Sequence, residues 1–166
     1  MNYIFDSSTL IYLGKVRLLE KIGMFPGDKF LPEEVYGEVV EKGLEKNESE
    51  AEYVSTLIEK KIFFVKKVAL RYFKENHLSV ADASVLNLTK ELNGIAIIDE
   101  SYARNIAKSS GIKSRGSLYI ILIMVKNRLI TKGEAISYLN SIIDLGFYLS
   151  NSKYNEFLSI LEKMQD

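Results

Sequence analysis

The chain has 166 residues, enough for one compact domain with a sizeable core. Its 22 basic and 22 acidic side chains cancel, so global charge points to neither a polyanion nor a membrane surface; the absence of cysteine excludes disulfides, thiolate metal sites and cysteine nucleophiles. The opening Met1-Asn2-Tyr3 lacks the basic and apolar stretches of a signal peptide, and the longest apolar run, 118–125, is far shorter than the roughly 20 residues of a membrane span, so a soluble cytoplasmic protein is expected.

Tyr3-Ile4-Phe5 reads as a short apolar strand, followed by a helix through Leu10, Ile11 and Leu13 that Ser7 or Ser8 caps. A second helical turn over 16–22 ends at Gly23. Phe30-Leu31 reads as a short strand, and Pro32 starts a helix running to about Gly43. Another helix covers 49–60, before a strand at 62–65 and a short helix over 70–75. Ser79 then caps a helix whose third residue is Asp82; it runs to Leu92, with Gly94 as its stop. Ile95-Ala96-Ile97-Ile98 is apolar throughout, which suits a central strand buried on both faces. Ser101 caps the next helix, Gly111 ends it, and Ile112-Lys113 forms a short strand. Ser117 opens an apolar helix to about Asn127, and Thr131 with Glu134 forms a capping box. An amphipathic helix over 152–163 carries Tyr154, Phe157, Leu158 and Leu161 on one side. Strands alternating with helices predict the α/β class: a three-layer α/β/α fold with a mainly parallel central sheet. The expectation is a single domain over 1–166, with 117–166 as a helical C-terminal extension.

Two of these strands end in an acid. Ile4-Phe5 leads to Asp6, and Ile97-Ile98 leads to Asp99 with Glu100 beside it. In parallel sheets ligands bind beyond the carboxyl ends of the strands, where strand order reverses, so two aspartates delivered there become neighbours. Their mutual repulsion is relieved when a divalent cation sits between them. The competing reading makes each of them a helix cap. Asp82 joins the same rim through the start of its helix, where a capping role and a metal role are compatible. A fourth carboxylate comes from the helix after Pro32, where Glu34, Glu38 and Glu41 share a face and spacing alone does not choose. Oxygen ligands favour Mg²⁺ or Mn²⁺, and such a site can activate water and stabilise in-line displacement at a phosphodiester. The lone histidine, His77, makes a Ser-His-Asp triad a poor alternative, and no phosphate-binding glycine loop is present.

Charge is unevenly spread. From Glu33 to Lys60 nine glutamates face three lysines, whereas from Ser101 to Arg128 six basic residues, among them Arg104, Lys108 and Arg115, stand without an acid. The second segment follows directly on Asp99 and can hold a phosphate backbone; solvated helix faces are the plainer reading.

With those residues placed, the sequence resembles the PIN-domain nucleases, in particular prokaryotic VapC-type toxins and their relatives. Tyr3-Ile4-Phe5-Asp6-Ser7-Ser8-Thr9 resembles the first motif of the family, and Leu31-Pro32-Glu33-Glu34-Val35-Tyr36-Gly37-Glu38-Val39 the second. Leu78-Ser79-Val80-Ala81-Asp82 is similar to the third, and Ile97-Ile98-Asp99-Glu100-Ser101 to the fourth, usually two aspartates, with Glu100 here in the second place. Gly116 before an apolar helix and the stretch 145–150 resemble the C-terminal extension of one subgroup. The resemblance implies an endoribonuclease that cleaves single-stranded RNA with Mg²⁺ or Mn²⁺. It makes Asp6, Glu38, Asp82 and Asp99 the catalytic metal ligands, directly or through water, with Glu100 and Ser8 as secondary candidates, Ser8 toward the substrate. It also implies frequent homodimers and, for a toxin of a type II pair, an inhibitory antitoxin. Two alternatives stand beside it: a catalytically inactive RNA-binding module of the same fold, and a phosphatase of haloacid-dehalogenase type. The latter wants a second aspartate where Ser8 stands.

Overall fold

The computed structural model describes residues 1–74 and 77–164. Five strands form one parallel sheet in the order β3-β2-β1-β4-β5: β1 (Asn2–Phe5), β2 (Asp28–Pro32), β3 (Phe64–Lys66), β4 (Ile95–Ile97) and β5 (Ser114–Arg115). All four pairings are parallel. From β1 the chain builds outward through β2 to β3, then crosses back to β4 on the other side of β1 and continues to β5. The reversal of strand order falls between β1 and β4, and because crossovers between parallel strands are right-handed as a rule, the helices of the two halves fall on opposite faces and make three layers.

The first half carries α1 (Ser7–Lys15), α2 (Leu19–Ile22), a helix made of α3 (Glu33–Tyr36), a π-helical turn (Gly37–Glu41) and α4 (Lys42–Glu45), and α5 (Ser49–Glu59). Here α1, the π-helical turn and α5 pack together. The second half carries α6 (Val80–Glu91), which lies on β1, β2 and β4, and α7 (Ser101–Ser109), which packs on β5. After β5 come α8 (Ser117–Lys126), α9 (Lys132–Asp144) and α10 (Asn151–Lys163). The core runs through the central strands: Ile4, Phe5, Ala96, Ile97 and Ile98 are fully buried, as an all-apolar strand covered on both faces requires. No helix among the described residues is long and apolar enough to cross a membrane.

The caps depart from expectation in an informative way. Neither Ser7 nor Ser8 caps α1; the Asp6 carboxylate does, accepting from the Thr9 N–H at 2.8 Å. Ser101 is likewise inside α7, whose cap is Glu100, accepting from the Ala103 N–H at 2.6 Å. Carboxylates take these places because they sit at strand ends and satisfy the orphan donors of the helices that follow. The Thr131–Glu134 capping box at α9 is formed as expected.

Strand starts shift for a related reason. The Ile62 and Phe63 N–H groups donate to Leu57 O and close off α5, so β3 begins at Phe64 instead of 62. Ile112 donates to Ala107 O at the end of α7, and pairing in β5 is left to Ser114–Arg115. The helical turn predicted over 16–22 shrinks to Leu19–Ile22 because Arg17 turns left-handed, with φ 58°.

No helix forms over 70–74, and Glu75, the end of that expected helix, lies outside the described residues. The buried Asn87 side chain competes with the helix there: its Oδ1 accepts from Tyr72 N and Phe73 N, and its Nδ2 donates to Phe73 O. Asn93, with φ 48°, makes the left-handed stop after α6. Gly94 is needed for space: a Cβ there would stand 2.5 Å from Ile4 Cδ1 and 2.7 Å from Asn2 O.

Candidate active site

The sheet delivers Asp6 and Asp99 side by side. Phe5 pairs with Ile97, and the Asp6 N–H donates to Ile97 O at 3.0 Å, so β1 and β4 release their acids at one level. Asp6 is only 3% exposed. Its Oδ1 accepts from Thr9 N; its Oδ2 accepts from the Asp99 N–H at 3.2 Å and the Ser8 hydroxyl at 3.1 Å. Asp99 Oδ1 accepts from Ser117 N at 2.7 Å, and its Oδ2 from the hydroxyls of Ser117, at 2.5 Å, and Thr9, at 3.2 Å. Thr9 and Ser117 are fully buried. Gly116 makes room for this arrangement, since a Cβ there would stand 2.7 Å from Asp99 Oδ1.

Asp6 carries the electrostatic strain of the site. Burial, and then the charge of Asp99, push its carboxyl from 3.8 up to about 7, against the hydrogen bonds from Thr9 and Asp99 N. Asp82 is the third residue of α6. Its N–H donates to Ser79 Oγ, and its carboxylate accepts from the Ser79 hydroxyl at 2.7 Å. This is half of a capping box, because the carboxylate meets the Ser79 side chain and not its N–H. Burial first, then the charges of Glu100 and Glu38, raise the Asp82 carboxyl above its ordinary value, opposed by Ser79.

Glu38 occupies the π-helical turn, a feature that recurs at functional sites, and accepts from the Ser7 hydroxyl at 2.5 Å. The turn breaks the even face that Glu34, Glu38 and Glu41 would share on a regular helix. Glu34 instead has a buried Oε2 without a hydrogen-bond partner among the described residues.

The five predicted acids thus fall into two neighbourhoods, Asp6 with Asp99, and Asp82 with Glu38 and Glu100 in its field. Among the described residues no three of them converge closely enough to hold one ion as they stand. Each is turned toward a local donor. The donor set itself suits a hard divalent cation: every donor is oxygen, and the charges that act on Asp6 and Asp82 are carboxylates.

Of the residues expected to meet substrate, Ser8 touches Asp6. Arg104 and Arg115 line, with Asp99, Gly116 and Tyr119, a groove of about 550 Å³. Lys108 is apart from Asp99, in an adjoining groove with Lys113 that shares Arg104 and Arg115. Sequence reading missed the roles of Thr9, Gly116 and Ser117. For Thr9 the local signal was a small polar residue inside the first acidic motif; Gly116 and Ser117, 17 and 18 positions beyond Asp99, carried none.

A doubly wound parallel sheet with two aspartates at its switch point, and further acids on the flanking helix starts, defines an α/β protein built around clustered carboxylates. Residues 2–163 match the model of a family described as a PIN domain, and the chain belongs to that family, which bears out the resemblance to PIN domains. PIN domains are generally nucleases, so a nuclease-like, hydrolytic function is indicated at that coarse level. A solved structure, a domain of a functionally unknown protein from Methanocaldococcus jannaschii, is similar with a TM-score of 0.49 and 21% identity, over 69% of this chain and 89% of that one. No curated protein matches the sequence.

Proposed function

We propose that this chain is a metal-dependent endoribonuclease acting on single-stranded RNA, with Asp6, Glu38, Asp82 and Asp99 holding Mg²⁺ or Mn²⁺ directly or through water, and Glu100 beside them. The observation that supports this most is the pairing of Asp6 with Asp99 at the switch point, where a buried carboxyl is pushed up to about 7 by burial and its acidic neighbour. A divalent ion bound there supplies an activated water and neutralises the charge that develops at a phosphodiester. Thr9 and Ser117 orient Asp99, Ser8 and the Thr9 N–H orient Asp6, and Arg104 and Arg115 flank the opening where a phosphate backbone would lie. The four VapC-like motifs extend the proposal to a cytoplasmic toxin held in check by an antitoxin, with a homodimer as its assembly. Coexpression with the product of a neighbouring small gene tests that part.

The main experiment follows cleavage of a single-stranded RNA with Mn²⁺. Asp6→Asn and Asp99→Asn should each cut the rate by orders of magnitude; rates within about threefold of the parent in both would overturn the reading. One observation favours a second reading, a PIN module that binds RNA without cutting it: each acid already has a local donor, and no three converge among the described residues. Calorimetric titration with Mn²⁺ separates the two, because the inactive module need not bind the ion at these carboxylates.

A further inference from the structure

The groove beside Asp99 is more than a basic surface. Leu118, Leu122, Phe157 and Ile160 give it an apolar stretch between α8 and α10, beside the charged and polar residues of its rim. At its edge stands Tyr148, 89% exposed, an unusual place for a large aromatic ring. The loop that carries it is held on both sides. Phe147 N donates to Ile142 O, and the Phe147 ring packs edge-on against Tyr12 at 5.3 Å. Two residues on, Ser150 caps α10, accepting from Lys153 N. Tyr148 is therefore a ring presented to solvent by a backbone fixed at its neighbours.

Charge identifies the occupant. Arg104 and Arg115 form the boundary with the adjoining groove, which adds Lys108 and Lys113 and has no acid among the described residues that line it. The acid inside the apolar groove, other than Asp99 at its end, is Glu156, already bonded to Lys153 at 2.8 Å. An apolar slot with an aromatic edge, next to a run of four cations, matches a strand whose bases are splayed to one side and whose phosphates run along the other. A duplex keeps its bases stacked inward and offers nothing to the slot.

We propose that the α8–α10 groove is a nucleobase subsite: a nucleotide flanking the phosphate at Asp99 places its base in the groove and stacks it on Tyr148, while Arg104, Arg115, Lys108 and Lys113 follow the phosphates. This rests on the nuclease reading and deepens it by placing the base beside the cut in a subsite of its own. The volume of about 550 Å³ accommodates a nucleoside.

The test uses a fluorescein-labelled RNA decamer of random sequence and an abasic ribose-phosphate decamer, bound to the full chain in EDTA and read by fluorescence anisotropy. The parent should bind the base-bearing decamer more tightly. Tyr148→Ala, an exposed position that leaves the fold intact, should weaken that binding roughly five- to a hundredfold and leave the abasic decamer unaffected. Equal affinity of the parent for both decamers overturns the subsite, as does an equal loss on both in Tyr148→Ala. A lower sedimentation mass in Tyr148→Ala than in the parent also overturns it, assigning the groove to a second copy of the chain. If the subsite fails while Mn²⁺-dependent cleavage of the RNA decamer persists, only this inference falls. Failure of the parent to bind or cleave either decamer removes the nuclease reading along with it.

Discussion

Ser117 holds Asp99 with two hydrogen bonds from one residue, the backbone N–H to Oδ1 and the hydroxyl to Oδ2. The pair joins the start of α8 to the end of β4, and the acid it orients is the one nearest the opening. Ser117→Ala removes a buried bond to a charged group, worth about 1.5–3 kcal/mol, so the melting temperature should fall by several degrees. Loss of the orienting partner should weaken Mn²⁺ binding by about 10–100-fold, measured by calorimetry. Gly116→Ala should weaken it too, because the new Cβ falls 2.7 Å from Asp99 Oδ1 and drives the carboxylate out of place. Unchanged Mn²⁺ affinity in both variants would detach Asp99 from metal binding.

Asp6 predicts a pH dependence of stability in EDTA. Its carboxyl titrates near 7 in the folded chain and near 3.8 when unfolded, so the folded state holds the extra proton between those values. The contribution of the protonated group is complete below about pH 4 and is lost as pH rises to about 7, a loss on the order of 4 kcal/mol. The parent should therefore melt lower at pH 8 than at pH 5. Asp6→Asn lacks that decline and should melt higher than the parent at pH 8. At pH 5 the order should reverse, since the amide cannot accept both the Thr9 and the Asp99 N–H as the carboxyl does. Millimolar Mn²⁺ at pH 8 should raise the parent and not the variant. Parallel pH profiles for the two proteins would show that Asp6 is a helix cap and nothing more.

The acids of the helix after Pro32 should separate sharply in activity. Glu38→Gln, at the π-helical turn and in the field of Asp82, should reduce RNA cleavage severely, whereas Glu34→Gln should stay within about threefold of the parent. Initial rates with Mn²⁺ decide it. The reverse order would mean that the orphaned Oε2 of Glu34 serves the site and Glu38 does not.

Arg104 and Arg115 line the groove at Asp99 and, with Lys108, the groove adjoining it. Replacing all three with Ala should weaken binding of single-stranded RNA and flatten its salt dependence, by about 0.7 slope units for each phosphate that is no longer neutralised. Anisotropy titrations across a salt series give the slope directly. An unchanged slope would leave these side chains as solvated helix faces.

The parts of this architecture visible in the sequence are those with strong local signals. Ile95 to Ile98 declared a central strand by composition, and Asp6 and Asp99 stood out as the polar residues directly after apolar strands. Residues whose roles depend on distant partners were hidden. Asn87 looks like any polar helical residue until its amide is seen to hold 72–73, 14 and 15 positions away. Ser117 reads as a helix start and Thr9 as one more small residue, yet each completes Asp99 across 18 and 90 positions. Whole-chain packing also decided the strand starts at 64 and 114, where capping of the preceding helix took the first N–H groups. The π-helical turn at Gly37–Glu41 has no local marker at all; it lies where the helix packs on α1 and α5.

The bonds from Ser117 to Asp99 also bear on when the proposed activity begins during synthesis. A ribosome emits the chain from its N-terminus, and domains fold once their parts have emerged. After the first hundred residues both aspartates have been made, but the serine that sets the second has not. On the proposed reading, the nascent polypeptide carries an Asp99 without its orienting partner until the beginning of α8 has left the exit tunnel, so metal binding at that acid waits on the C-terminal third of the chain.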